Sequence, residues 1–372
     1  PSLVGSEMCI RDRFKALRPT KGKESDVIAP PYDVLNSSEA REMAKNKPFS
    51  FLHVSKPEID LDPEIEFNNP SVYEKGEENL KELINKKILI QDDKECLYIY
   101  EIFLNGISQT GVGCVASVEA YEKNLIKKHE YTKPEKEDDR VNNIIKLNAQ
   151  TGPVLLAYKN NNEISKFLNK VKNENPTYNV IAHDNSNHKI WIVEDNRRIR
   201  EILDEINSMD SLFIADGHHR SAAALRVKKE LSKKNPNHIG DENYNYFLAV
   251  AFPHSEMNIL DYNRIIKGLN GHTTDTLLSN IEKKFSVKKH EIEFRPKNIN
   301  TFGMYLDNYW YELITNQENI NSIDPVKSLD VSILHDLIIE PLLGITDERT
   351  DPKIDFVGGA RGLKELENRV DK

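Results

Sequence analysis

Cysteine is scarce in this sequence, which limits the chemistry that depends on it. There are three: Cys9, Cys96 and Cys114. No two form a C-x-x-C pair, and three cannot build an even disulfide framework. Cys96 and Cys114 fall in apolar, strand-like runs, where a free cysteine is a small core residue. A reducing, cytoplasmic setting is expected. Long apolar runs are also missing. No window approaches the ~20 residues of a spanning helix, and no signal-peptide core opens the chain, so no membrane partner is expected. Positive charge is not in excess: 51 Lys and Arg stand against 60 Asp and Glu, a net −9. That argues against binding nucleic acid over the whole surface, while leaving room for a local basic pocket. Walker-A, G-x-G-x-x-G, H-E-x-x-H and G-x-S-x-G patterns are absent, so any phosphate chemistry proceeds without a standard P-loop. There is no internal repeat, heptad run or low-complexity linker.

What is present describes an ordinary soluble protein on the polar side. The chain has 372 residues, 38% hydrophobic and 30% charged, long enough for one large or two moderate domains with a sizeable core. Residues 1–13 lack periodicity, resemble translated adapter sequence and are set aside together with Cys9.

The most informative stretch is residues 212–225. An apolar run, Leu212 to Ala215, reads as a buried strand. A polar turn follows, formed by Asp216, Gly217, His218, His219 and Arg220. An Ala-rich helix is expected to begin at Ser221. A helix N-terminus offers free N–H groups and the positive end of its dipole, which suit an anion. Arg220 adds a planar fork for phosphate or carboxylate oxygens. Asp216 would repel such an anion unless a protonated group or a metal sits between them, and the metal that suits is Mg²⁺. The plainer alternative is a capped helix with two surface histidines.

Other candidates lie along the chain. Pro30 and Pro31 fix an extended backbone that delivers Tyr32 and Asp33 at a set position, although Asp33 also fits a turn or a helix cap. Residues 49–58 read as a strand ending in a polar turn. Residues 71–87 read as an amphipathic helix. Asn105-Gly106 is the clearest hairpin signal, between strands at 96–104 and 111–120. His129 and Glu130 fall between a strand end and a helix that begins near Pro134. Glu130 there is a candidate general base for a hydroxyl, with His129 beside it. Further strands are expected at 154–158, 182–193 around a hairpin at 185–188, and 247–253. Arg264 is a candidate second phosphate ligand, against the commoner reading as a surface arginine. An edge strand is expected near 302–305. Residues 329–344 read as an amphipathic helix stopped by Pro341 and Gly344.

These residues resemble the domain-of-unknown-function-1015 family of prokaryotes over nearly all of 14–372. The resemblance rests on Ala29 to Val34, Phe51 to Val54 with Pro57-Glu58, His129 to Thr132 with Lys136 to Arg140, Ala215 to Arg220, Tyr262 to Arg264, and Leu329 to Val331. The family's further C-terminal Met-Pro-Pro-Lys-Ser-Thr-like motif is missing, so the resemblance implies a chain truncated at that end. The Asp216–Arg220 turn is also similar to the phosphate-binding turn of the ParB/sulfiredoxin superfamily, which includes free-serine kinases. The fold this implies is mixed α/β (α+β), with a ParB/sulfiredoxin-like core at 115–265 carrying a mixed sheet. Family-specific segments at 14–114 and 266–372 would flank it.

The activity implied is phosphoryl transfer between pyrophosphate or a nucleotide and a small hydroxy amino acid, free serine by this likeness. Asp216 would hold Mg²⁺. Gly217, His218, His219, Arg220 and Arg264 would bind phosphate. Glu130 with His129 would serve the hydroxyl, while Arg140, Tyr32 and Asp33 would bind substrate. The partners expected are therefore a small-molecule phosphate donor and an amino-acid acceptor. The rival readings are a nucleotide- or phosphate-binding regulatory module without turnover, and a sulfiredoxin-type redox enzyme, which needs a reactive cysteine beside the turn.

Overall fold

The computed structural model describes residues 11–371 except Tyr131, Lys133, Ser322 and Arg349. Residues 1–10, and Cys9 with them, lie outside the described residues. The chain divides into two compact units, residues 1–258 and 259–372. The expected boundary at 265/266 therefore moves a few residues towards the N-terminus. The expected boundary at 114/115 falls inside one long strand, Ile107–Ser117, so the sheet is continuous across it.

In the first unit, β1 (Arg11–Asp12), β2 (Leu17–Pro19), α1 (Glu24–Val27), α2 (Ser37–Ala44), α3 (Leu52–Ser55) and α4 (Pro70–Asn85) come first. Then follow β3 (Leu89–Gln91), β4 (Leu97–Leu104), β5 (Ile107–Ser117), α5 (Val118–Glu122), β6 (Ile126–Lys127) and α6 (Pro134–Leu147). Next are β7 (Val154–Tyr158), α7 (Asn162–Lys172), β8 (Tyr178–Ile181), β9 (Asn187–Val193) and α8 (Asn196–Asn207). The unit closes with β10 (Leu212–Asp216), α9 (His218–Lys234) and β11 (Tyr246–Pro253).

One mixed sheet runs β6-β10-β7-β11-β5-β4-β9-β8, with β1 paired to β5. β6 is parallel to β10 and β7 to β11, while the other pairs are antiparallel. The hairpin at Asn105-Gly106 forms as expected, with φ of +52° and +82°, joining Leu104 to Ile107. β7 alternates: Val154, Leu156 and Tyr158 are buried, and Leu155 and Ala157 are only partly covered. This is the period of a strand with one face on the core. Ile164, Phe167, Leu168 and Val171 of α7 join that core with Ile199, Ile202 and Ile206 of α8.

Two strand expectations in this unit change. Residues 49–58 form helix α3 and a 3₁₀ turn at Pro57–Asp60. Leu52 and Val54 are both fully buried, which mimics strand alternation. They sit on opposite sides of a short helix, each in its own cluster: Leu52 with Ala40, Ala44 and Ile59, Val54 with Val27, Leu80 and Leu83. Residues 182–186 form the turn between β8 and β9, with Asn185 at φ +64°.

The second unit contains β12 (Tyr262–Ile266), α10 (Thr274–Ile281), β13 (Phe285–His290), β14 (Thr301–Leu306), β15 (Tyr309–Thr315), α11 (Asp330–Leu334), α12 (Glu340–Leu343), β16 (Ile354–Gly358) and α13 (Leu363–Val370). β13-β15-β14 form an antiparallel sheet with β14 at its edge, and β12 pairs with β16. Leu277, Ile281, Phe285, Leu313, Ile333 and Ile338 form its main core. The helix expected at 329–344 is interrupted by a π-helical segment, His335–Ile339. Pro341 lies within the last helical turn and does not stop it, whereas Gly344 ends it at φ +69°. A proline offers no N–H to the carbonyl four residues earlier, so the ladder widens ahead of it.

Candidate functional site

The parallel pairing of β6 and β10 builds the site. Ile126 faces Leu212 and Lys127 faces Phe213, so both strands leave the sheet at the same end. His129 and Glu130 therefore emerge beside the Asp216–Arg220 turn, although almost ninety residues separate the two stretches. Gly217 alone makes the turn. It adopts φ +97° and ψ 29° and caps α9, which begins at His218 and not at Ser221. The left-handed glycine brings the helix forward, so His218, His219 and Arg220 occupy its first turn, where the backbone N–H groups lack intrahelical partners. A Cβ at Gly217 would lie 3.2 Å from the Val154 Cα and 3.3 Å from the Arg220 Cζ.

His218 is the buried member, only 4% exposed. Its Nε2 accepts the His129 backbone N–H at 3.4 Å, and the two imidazoles meet edge to face with centroids 4.4 Å apart. Its Nδ1 lies 3.5 Å from the Glu130 Oε2. An accepting Nε2 puts the proton on Nδ1, directed at Glu130. Burial, reinforced by the neighbouring His129, pushes the His218 pKa down and keeps it neutral. Glu130 itself is well exposed.

Arg220 is held on three sides. It donates to the Asp216 carboxylate and to the Pro153 carbonyl, and its Nη2 lies 3.9 Å from the Asp33 Oδ2. Asp33 reaches it from the 3₁₀ turn Tyr32–Val34 that follows Pro30-Pro31. The adjacent Tyr32 ring carries the Arg140 guanidinium 3.9 Å from its centroid. Burial pushes the Tyr32 phenol pKa up, against the pull of Arg140. Arg140 is bound by Asp139, which also accepts from the Tyr73 hydroxyl at 3.0 Å. His219 is half-buried in the first turn of α9.

Two supports went unread in the sequence. One is the loop before β7. Gln150 binds the β11 backbone through the Tyr246 carbonyl at 2.8 Å and the Leu248 N–H at 2.9 Å. Gly152 leaves room for the Arg220 side chain, 3.4 Å from where its Cβ would be. A Gly-Pro pair signals a turn but carries no sign of which side chain packs on it. The other is the acidic start of α6. Glu137 and Asp138 pair with Arg226 of α9 at 3.3 Å and 2.5 Å.

Asp216 and Asp33 thus flank one guanidinium. One or two carboxylates completed by substrate phosphates is the usual Mg²⁺ set, so these residues suit an ion that arrives with phosphate. Among the described residues, the group of three or more close metal-ligand side chains lies elsewhere, at His335, Asp336 and Glu340. Arg264 belongs to the second unit, where its Nε binds the Glu348 Oε2 at 2.9 Å and its Nη1 the Tyr262 carbonyl at 2.8 Å. Cys96 and Cys114 are buried. Cys114 lies on β5, with β7 and β11 between its strand and β10. Burial also raises the Cys96 pKa, and neither thiol has the exposure of a redox nucleophile. Among the described residues, no helix is long and apolar enough to cross a membrane.

No curated protein and no solved structure matches the chain. A family model described as a protein of unknown function (DUF1015) matches residues 12–332, from the first described strand through both the β6 and β10 ends and into α11. With most of its length matched, the chain belongs to the DUF1015 family.

Proposed function

We propose that the ends of β6 and β10 form a phosphoryl-transfer site acting between pyrophosphate or a nucleotide and a small hydroxy amino acid, with free serine as the acceptor. The observation that carries this reading is the convergence of Glu130, exposed and paired with a neutral His218, on the first turn of α9 with Arg220. A general base and an anion-binding helix end are the two parts that hydroxyl phosphorylation requires. The strand, left-handed glycine and helix succession also supports the likeness to the phosphate turn of the ParB/sulfiredoxin group.

The first-turn N–H groups of α9, His219 and Arg220 bind the donor phosphates. Asp216, with Asp33 in reach, would hold Mg²⁺, which neutralises phosphate charge when bound. Arg140 on the Tyr32 ring faces the acceptor's carboxylate. The acceptor hydroxyl oxygen forms the new O–P bond as its proton passes to Glu130. The bond from phosphorus to the donor's bridging oxygen breaks, and phosphate or the shortened nucleotide leaves with that electron pair. His218, through Nδ1–H, keeps the Glu130 carboxylate oriented. Arg264, the candidate second phosphate ligand, is bound to Glu348.

The protein incubated with serine, Mg²⁺ and pyrophosphate or ATP should yield phosphoserine. Replacing Asp216 with Asn should lower the rate by at least about tenfold, by loss of a charged ligand. Tight nucleotide binding without any product would overturn the proposal in favour of a regulatory module. Full activity in the Asp216→Asn protein would remove the metal role.

A further inference from the structure

We infer that the π-helical turn of the second unit is a binding site for a divalent transition-metal ion, with His335, Asp336 and Glu340 as ligands. One ligand atom from each lies within 4.8 Å of the others. They stand at positions i, i+1 and i+5. In an α-helix with 3.6 residues per turn, residues five apart point about 140° away from one another. Here the Glu340 N–H donates to the His335 carbonyl, the five-residue bond of a π-helix, and this stacks the two residues on one side. The Glu340 Oε2 consequently lies 3.8 Å from the His335 Nε2.

The imidazole is aimed by a second carboxylate. Its Nδ1 lies 3.0 Å from the Glu348 Oε1, and Glu348 is itself fixed by Arg264 at 2.9 Å. Glu348 and Arg264 are both largely buried, at 13% and 14% side-chain exposure, whereas Asp336 and Glu340 are open to solvent. A carboxylate behind a ligating histidine sets the tautomer, so that Nδ1 carries the proton and Nε2 is left as the ligand. The buried Arg264–Glu348 pair therefore acts as a positioning element. The open side supplies two anionic oxygens and access for the ion. One imidazole with two carboxylates favours Zn²⁺, Mn²⁺ or Co²⁺ over Mg²⁺, which prefers an all-oxygen shell. None of its three ligands is among the residues of the proposed transfer site.

The test is titration of the whole protein with Co²⁺ in phosphate-free buffer, read by the visible absorption of the bound ion and by calorimetry. One equivalent should bind, and Zn²⁺ should displace it whereas equimolar Mg²⁺ should not. His335→Gln and Glu340→Gln should each weaken binding at least tenfold. Glu348→Gln, which touches the imidazole and not the ion, should weaken it by about 10–100-fold. Asp216→Asn should leave the titration unchanged. Glu340 is exposed, so its substitution keeps the fold even if that of His335 does not. Absence of stoichiometric Co²⁺ uptake by the wild-type protein, or uptake unaltered by Glu340→Gln, would overturn the assignment.

Discussion

Gly217 meets two demands at once. Its φ of +97° is a conformation that costs an L-residue about 1–2 kcal/mol. The neighbour its Cβ would meet at 3.2 Å is backbone, the Val154 Cα, which cannot swing aside. Gly217→Ala is thus expected to lower stability by at least about 1 kcal/mol in urea denaturation and to weaken pyrophosphate binding. An unchanged midpoint would show that the turn relaxes. His53 illustrates a different residue-scale effect. Its Nδ1 faces both Asp60 carboxylate oxygens, at 2.8 Å and 2.9 Å, and its Nε2 faces the Lys47 carbonyl at 3.1 Å. With acceptors at both nitrogens the imidazolium is favoured. The Asp60 hydrogen bond raises the His53 pKa over the opposing effect of burial. Asp60 is lowered although burial pushes it up, because His53 and Asn79 bond its charged form.

The two signs define a window. The stabilisation from His53 is complete below its unfolded value of about 6.5 and fades as pH rises through the raised folded value. That from Asp60 is present above about 3.9 and fades as pH falls through the lowered folded value. The stability difference between wild type and His53→Gln should therefore be largest near pH 5–6 and shrink above neutrality. A difference that stays flat with pH would contradict an ion pair.

At the scale of elements, the site depends on α9 being pinned against α6. Val141, Ala223 and Val227 form that contact, with Ala223 fully buried. Arg226 bridges to Glu137 and Asp138 beside it. Ala223→Leu adds three carbons where none fit. It should cost about 1–3 kcal/mol and reduce donor-phosphate affinity by displacing the helix start, measured by denaturation and calorimetry. If stability falls while affinity holds, the helix end is set by Gly217 alone. The sequence made this region partly readable. β10, the turn residues and the helix that follows stand out because an apolar run, a glycine and an Ala-rich stretch are local signals. The helix starts three residues before the expected Ser221, because no local pattern tells a polar turn from a polar first helical turn when the cap is a left-handed glycine. α3 reads as a strand in sequence because Leu52 and Val54 alternate like strand residues, yet they fill two different clusters.

At the scale of the molecule, what the sequence could not show is adjacency. Glu130 meets His218 only because β6 pairs parallel with β10, a long-range register that no window of residues encodes. Arg264, a candidate phosphate ligand by sequence, has Glu348 as its partner within the second unit, a pairing that no local pattern announces. The net charge of −9 is likewise a property of the whole surface, against which a phosphate donor must be drawn to a local cationic end. The central claim is a division of labour across the two strand ends: α9 binds the donor, and Glu130 takes the acceptor's proton. The most direct measurement compares wild type and Glu130→Gln for pyrophosphate affinity and for the rate of phosphoserine formation. The account predicts a Kd unchanged within about twofold and a rate lowered by about 10²–10⁴-fold. A Kd and a rate that fall together, or a rate that does not fall, would contradict it.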